Sequence, residues 1–137
     1  MKKVLIFLGL VLLIAASVGY YVFIYSATHR RDISEEKAIS ITAVALVANY
    51  NQNENESNQK YLNKALIVEG MIKEVGQDQA GNTTVTLDGA NDFSSVYCTL
   101  KEKHDSIEKG NKISIKGLCI GFTSDVVITD AIVKLNN

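Results

Sequence analysis

The chain has 137 residues, 47% of them hydrophobic and 21% charged, with a formal net charge of -1. That length leaves room for one apolar segment and one soluble domain of roughly a hundred residues, and none for a second domain. The near-neutral total conceals a split: Lys2, Lys3, Arg30 and Arg31 flank the apolar stretch, while residues 32–137 carry 10 lysines against 15 acidic residues, an excess that repels polyanions and disfavours nucleic acid as a partner.

After a short tail at residues 1–3, Val4 to Tyr25 runs for 22 residues without a charge. As a helix it spans about 33 Å, close to the thickness of a hydrocarbon core. Tyr20, Tyr21, Phe23 and Tyr25 cluster at its far end, where amphipathic rings favour the lipid–water boundary. The reading is one transmembrane anchor over 4–25. A cleaved signal peptide is the competing one, with Ala15-Ala16-Ser17 or Ser17-Val18-Gly19 as the small-residue site, although the apolar run continues well past both. Lys2 and Lys3 on so short a tail favour that tail inside. The expected location is therefore a membrane, crossed once, with the C-terminal domain outside the cytoplasm.

Residues 26–33 form a polar connector, and Asp32 or Ser34 followed by Glu35 and Glu36 predicts a helix start, with a capping side chain and acids at the positive end of the dipole. A helix is expected from about 34 to 50, because Ile39, Ala43, Leu46 and Tyr50 share one face. A second short helix over Glu54 to Leu62 follows the polar run from Asn51. Together 34–62 read as a helical segment packing on what comes next.

From Ala65 the period changes to that of strands, and 65–135 is the expected barrel. Leu66 to Val75 is the first strand, Thr83 to Asp88 the second and Ser94 to Leu100 the third. A charged stretch, Lys101 to Lys109, offers only Ile107 to plug a core. A long fourth strand, Asn111 to Phe122, and a fifth, Val126 to Leu135, complete the set. In the fourth, Gly117 follows Ile113 and Ile115 on the inward parity yet brings no side chain, which marks a barrel bend. The fold class is thus mainly β: a five-stranded OB-like barrel preceded by an amphipathic helical segment and one N-terminal transmembrane helix.

The chain resembles the tRNA_anti-like group of small, membrane-associated bacterial OB domains. The resemblance rests on Leu46, Tyr50, Asn53-Glu54 and Lys60-Tyr61 before the sheet, Val68-Glu69-Gly70 and Val96-Tyr97-Cys98 within it, and Lys109-Gly110, Lys116 to Gly121 and Asp125-Val126-Val127 towards the end. It implies the OB fold over residues 30 to 135. It implies no defined activity.

OB domains that hold single strands present the outer face of strands two and three, with aromatics for stacking and basic groups for phosphate. By alternation that candidate ligand-binding face here carries Thr84, Thr86, Asp88, Ser95, Tyr97 and Thr99: one aromatic, one acid and no base. The lysines between 101 and 116 are interleaved with Glu102, Asp105 and Glu108 and read as a solvated mixed surface. Cys98 and Cys119 leave two readings open. An even count outside the cytoplasm invites a disulfide, whereas inward parity on non-adjacent strands suggests two buried thiols. Neither belongs to a close pair, and His29 and His104 lie far away in sequence, so no metal site and no cofactor are expected. Asp78, Asp88, Asp92 and Asp125 would hold calcium only if they converged at one rim, and acidic turns are common.

No nucleophile elbow, zinc-protease motif or phosphate loop occurs. The sequence therefore points to a membrane-anchored binding or scaffolding module without catalytic activity, whose partner is another envelope protein or a small ligand. The alternatives are a single-stranded nucleic-acid binder by fold analogy and a small hydrolase with an unrecognised site.

Overall fold

The computed structural model describes residues 1–25 and 31–134, in two compact units of residues 1–32 and 33–137. Residues 26–30 of the expected connector, and Leu135 at the end of the expected fifth strand, lie outside the described residues. In the first unit, helix α1 (Lys2–Tyr20) continues into one π-helical turn, Tyr21–Tyr25. The 24 residues from Lys2 to Tyr25 are long and apolar enough to cross a membrane, and none is buried. Its one serine hydroxyl turns inward, Ser17 Oγ donating to Leu13 O at 2.8 Å, which satisfies a polar group that hydrocarbon would not. Tyr21 and Tyr25 stack with centroids 5.0 Å apart.

The second unit begins differently from the sequence expectation. The segment before residue 43 is not helical: Ile39–Thr42 form a short strand, β1, and the helix α2 runs only from Ala43 to Gln52. Ile39 and Ile41 are β-branched and alternate with Ser40, which suits a strand as well as a helix face. Thr42 settles the boundary, since its Oγ1 accepts from Ala45 N at 3.2 Å and caps the helix there. Helix α3 (Glu54–Tyr61) follows, capped by Asn53 Oδ1 on Glu56 N.

Five further strands close into a barrel: β2 (Ala65–Gln77), β3 (Thr83–Leu87), β4 (Val96–Leu100), β5 (Lys112–Phe122) and β6 (Val126–Lys134). The order is β1-β2-β3-β4-β6-β5, with β5 returning to β2 to complete the ring. β4 and β6 run parallel, the other ring neighbours antiparallel, and β1 adds in parallel outside β2. β2 serves both of its ring neighbours along its length: residues 65–71 pair with β5 on one edge and residues 72–77 with β3 on the other, with a register shift between Ile72 and Glu74.

At Gly117, where the sequence marks a bend, β5 and β6 approach closely. Gly117 faces β6 across the register shift between Lys116 and Leu118, where Asp130 takes a positive φ of 50°. A Cβ at Gly117 would overlap Ile128 Cγ2.

Inward residues Val68, Val85, Leu87, Val96, Ile115, Val126 and Ile128 fill the core. Helix α2 closes one end with Leu46, Val47 and Tyr50, all buried. Tyr50 stacks on Phe122 at 5.3 Å, and Val47 lies so close to Gly89 that a Cβ there would touch it. At the other end the loop 101–111 has no helix and supplies Ile107, half-buried against the core.

Lys116, the one buried lysine among the described residues, points away from this core. Its Nζ donates to Ser34 O at 2.7 Å and Glu36 O at 2.6 Å, so the stretch read as a helix start is instead strapped along the barrel wall.

The possible disulfide is not formed. Cys98 on β4 and Cys119 on β5 both register against Ile128 of β6, which lies between them. Two inter-strand spacings amount to about 9.5 Å, beyond the Cα separation a disulfide spans. Both thiols are buried, and burial pushes that of Cys98 up to about 12.

Candidate functional site

Strands β3 and β4 lie side by side with Thr84 opposite Thr99 and Thr86 opposite Tyr97. Valines and leucines at the alternate positions turn into the core, so these four side chains share the outer face. β2 extends it with Glu74 opposite Thr86 and Gly76 opposite Thr84, and β6 brings Val127 beside Tyr97. Not all six of the expected face residues are exposed there. Thr84 is buried at 6% exposure, whereas Thr86, Tyr97 and Thr99 are half-buried. Ser95 is buried before β4 begins, its backbone N donating to Asp125 Oδ1 at 2.7 Å. Asp88 lies just past β3 in a turn, its Oδ1 accepting from Ala90 N at 2.9 Å. The exposed platform is therefore Thr86, Tyr97 and Thr99, rimmed by Glu74. It is hydroxyl-rich, carries one aromatic ring, and has no lysine or arginine in register.

The four turn aspartates do not converge. Asp78 belongs to the β2–β3 hairpin, Asp88 and Asp92 to the β3–β4 loop at the far end of β3, and Asp125 to the β5–β6 turn. Asp78 is held by its own hairpin: Asn82 donates from both side chain and backbone at 2.9 Å, and these bonds hold the Asp78 carboxyl below its usual range. Among the described residues no three His, Cys, Asp or Glu side chains are placed to share a metal ion. His104 makes no hydrogen bond to a serine, threonine or cysteine among them.

Two concavities escaped the sequence reading. One, of about 320 Å³, lies between α2 and α3 and is lined by amides and hydroxyls, including Asn49, Asn53, Ser57 and Tyr61. Asn49 Nδ2 donates to Tyr61 Oη at 2.8 Å, and Lys60 Nζ sits 5.3 Å from the Tyr61 ring centre. Asn53, Lys60 and Tyr61 were among the residues that carried the family resemblance, the one signal that singled out this corner. The other, of about 330 Å³, opens beneath the loop 101–111.

A closed five-stranded barrel with its parallel β4–β6 pairing defines an OB-type domain. The chain belongs to the tRNA_anti-like family, whose model matches residues 1–132. No curated protein matches the sequence. Among solved structures it is similar to the crystal structure of a candidate nucleic acid-binding lipoprotein from Klebsiella pneumoniae subsp. pneumoniae MGH 78578, with a TM-score of 0.55, 19% identity, and coverage of 72% of this chain and 92% of that one. At that identity the likeness concerns the fold.

Proposed function

We propose that this protein is a non-catalytic binding module, held at the bacterial inner membrane by the helix Lys2–Tyr25 with its barrel outside the cytoplasm, and that it contacts another envelope protein through the β3–β4 face. The observation that carries the reading is the platform of Thr86, Tyr97 and Thr99: an aromatic ring set among hydroxyls without a cation suits a neutral polar protein surface. Helix α2 fills one end of the barrel, and the β3–β4 wall is a broad surface on offer.

A second reading, single-strand nucleic-acid binding, draws on the description of the Klebsiella protein. It fits this chain poorly. Base stacking is worth about 1 to 3 kcal/mol per base, and one tyrosine beside Glu74 in a net-acidic domain lacks the phosphate contacts that supply most of the affinity. A fluorescence titration of the full chain in lipid nanodiscs with labelled oligonucleotides separates the two. The expected result is binding weaker than micromolar at physiological salt; tighter binding that falls steeply as salt rises would reverse the order of the readings.

A further inference from the structure

From Glu74 to Leu100 the chain carries four acidic residues, Glu74, Asp78, Asp88 and Asp92, and no lysine or arginine. That run contains β3, β4 and the loop joining them, so the hairpin and its loop bring negative charge and none of the opposite sign. On the loop stands Phe93, 89% exposed, the most exposed large apolar side chain of the barrel unit among the described residues. Single exposed apolar residues are common on protein surfaces and need no account. Phe93 is set apart by how firmly the loop holds it there.

Both ends of the loop are pinned. Gly89 is buried, and a Cβ added there would strike Ser94 O and the Val47 methyls of α2, so the chain departs and returns at one point beside the helix. Past Ser94, Ser95 N donates to Asp125 Oδ1 at 2.7 Å and Val126 N donates to Ser95 O at 3.0 Å, which ties the returning end to the start of β6. Between these points the loop is fixed from inside. Asn91 Oδ1 accepts from Phe93 N at 3.0 Å and from Ser94 N at 2.6 Å, while Asp88 Oδ1 accepts from Ala90 N at 2.9 Å and Ala90 holds a left-handed φ of 58°. A ring displayed on a loop already ordered in this way leaves little backbone freedom to be lost on binding, the property that suits an aromatic anchor at a protein interface.

We propose, on the reading that a protein meets the β3–β4 face, that Phe93 is the anchor of that contact: its ring enters an apolar pocket on the partner, whose rim presents lysine or arginine to Asp92 and Asp88. Phe93 precedes Tyr97 by four residues, at most about 14 Å of chain, so one partner surface reaches both. The exposed aspartates select a cationic rim by charge complementarity. A bilayer fits less well, because a single ring offers it little apolar area and anionic lipid repels both aspartates.

The test places a benzophenone-bearing phenylalanine at Phe93 in the full chain, irradiates intact membranes, and maps the adduct by mass spectrometry. A protease-sensitive adduct is expected, joined to the partner within a segment that carries lysine or arginine, and Asp92→Lys in the same chain should lower its yield at least about threefold. With the label moved to Tyr97, Phe93→Ala should lower the yield at least about tenfold and Phe93→Leu by less. These substitutions alter exposed side chains and should leave the amount of folded chain in the membrane unchanged. An adduct from 93 alone that still depends on Asp92 supports the anchor and takes the contact off Tyr97. An adduct from 97 without one from 93, or one from 97 that Phe93→Ala leaves unchanged, overturns the anchor and leaves the β3–β4 face standing, whereas adducts from neither position remove both. A solvent-extractable lipid adduct from 93, or a yield that Asp92→Lys fails to lower, would equally overturn the proposal.

Discussion

Gly117→Val is expected to destabilise the barrel by about 3 kcal/mol or more, by overpacking at a point where nothing can move aside. A Cβ at this position overlaps Ile128 Cγ2 and comes within 3.1 Å of Thr129 O and 3.2 Å of Ala131 Cβ. Ile128 cannot retreat, because it is fully buried between Cys98 and Cys119 on the flanking strands. Backbone cannot give way cheaply either: β6 already carries a bulge here, with Asp130 at positive φ. Even Gly117→Ala should lower the urea midpoint. Thr86→Val, on the outer face, should stay within about 0.5 kcal/mol. Urea melts of residues 31–137 followed by circular dichroism give the comparison, and a Gly117→Val midpoint equal to wild type would mean that β5 and β6 do not approach as described.

Tyr50→Ala should cost about 3 to 5 kcal/mol, the range for removing a buried aromatic ring. Tyr50 is 2% exposed, stacks on Phe122, and tilts against Tyr61 at 6.1 Å. Its loss would unseat α2 from the barrel end and open the core, because Leu46 and Val47 share that helix face. Tyr50→Phe keeps the ring and loses only the contact between Oη and Cys119 Sγ at 3.5 Å, so it should cost less than about 1.5 kcal/mol. Burial first, and the Cys119 thiol second, push the Tyr50 phenol above its ordinary range. An unfolded tyrosine ionises near pH 10 while the folded one resists, so stability is expected to fall as pH rises past about 10. Tyr50→Phe should remove that part of the fall. If Tyr50→Ala melts with wild-type stability, α2 is an appendage and not a lid.

The barrel was legible in the sequence because its strands alternate cleanly. Val85 and Leu87, Val96 and Cys98, Ile113 and Ile115 each mark an inward parity that the structure keeps, and Gly117 broke that parity where the backbones crowd. The helix start was not legible. Ile39, Ala43, Leu46 and Tyr50 fit one helical face, yet the first of them belongs to a strand, and only the local capping bond from Thr42 decides between the periods. Lys116 looked like an outward lysine of an ordinary strand, since its two acceptors lie some eighty residues earlier. Thr84 and Ser95 were placed by alternation alone, which gives the face of a strand but not what covers it. The two concavities depend on which loops meet over the barrel ends, a long-range property that neither periodicity nor turn chemistry encodes.

The proposal that a membrane-held barrel meets a protein through the β3–β4 face can be checked by photocrosslinking. Tyr97 is replaced by a benzophenone-bearing phenylalanine in the full chain, and intact membranes are irradiated. One discrete adduct is expected from position 97, surviving nuclease and lost on protease treatment, with no such adduct from Ile120, which is exposed off that face. A nuclease-sensitive adduct from position 97, or equal labelling from both positions, would contradict it.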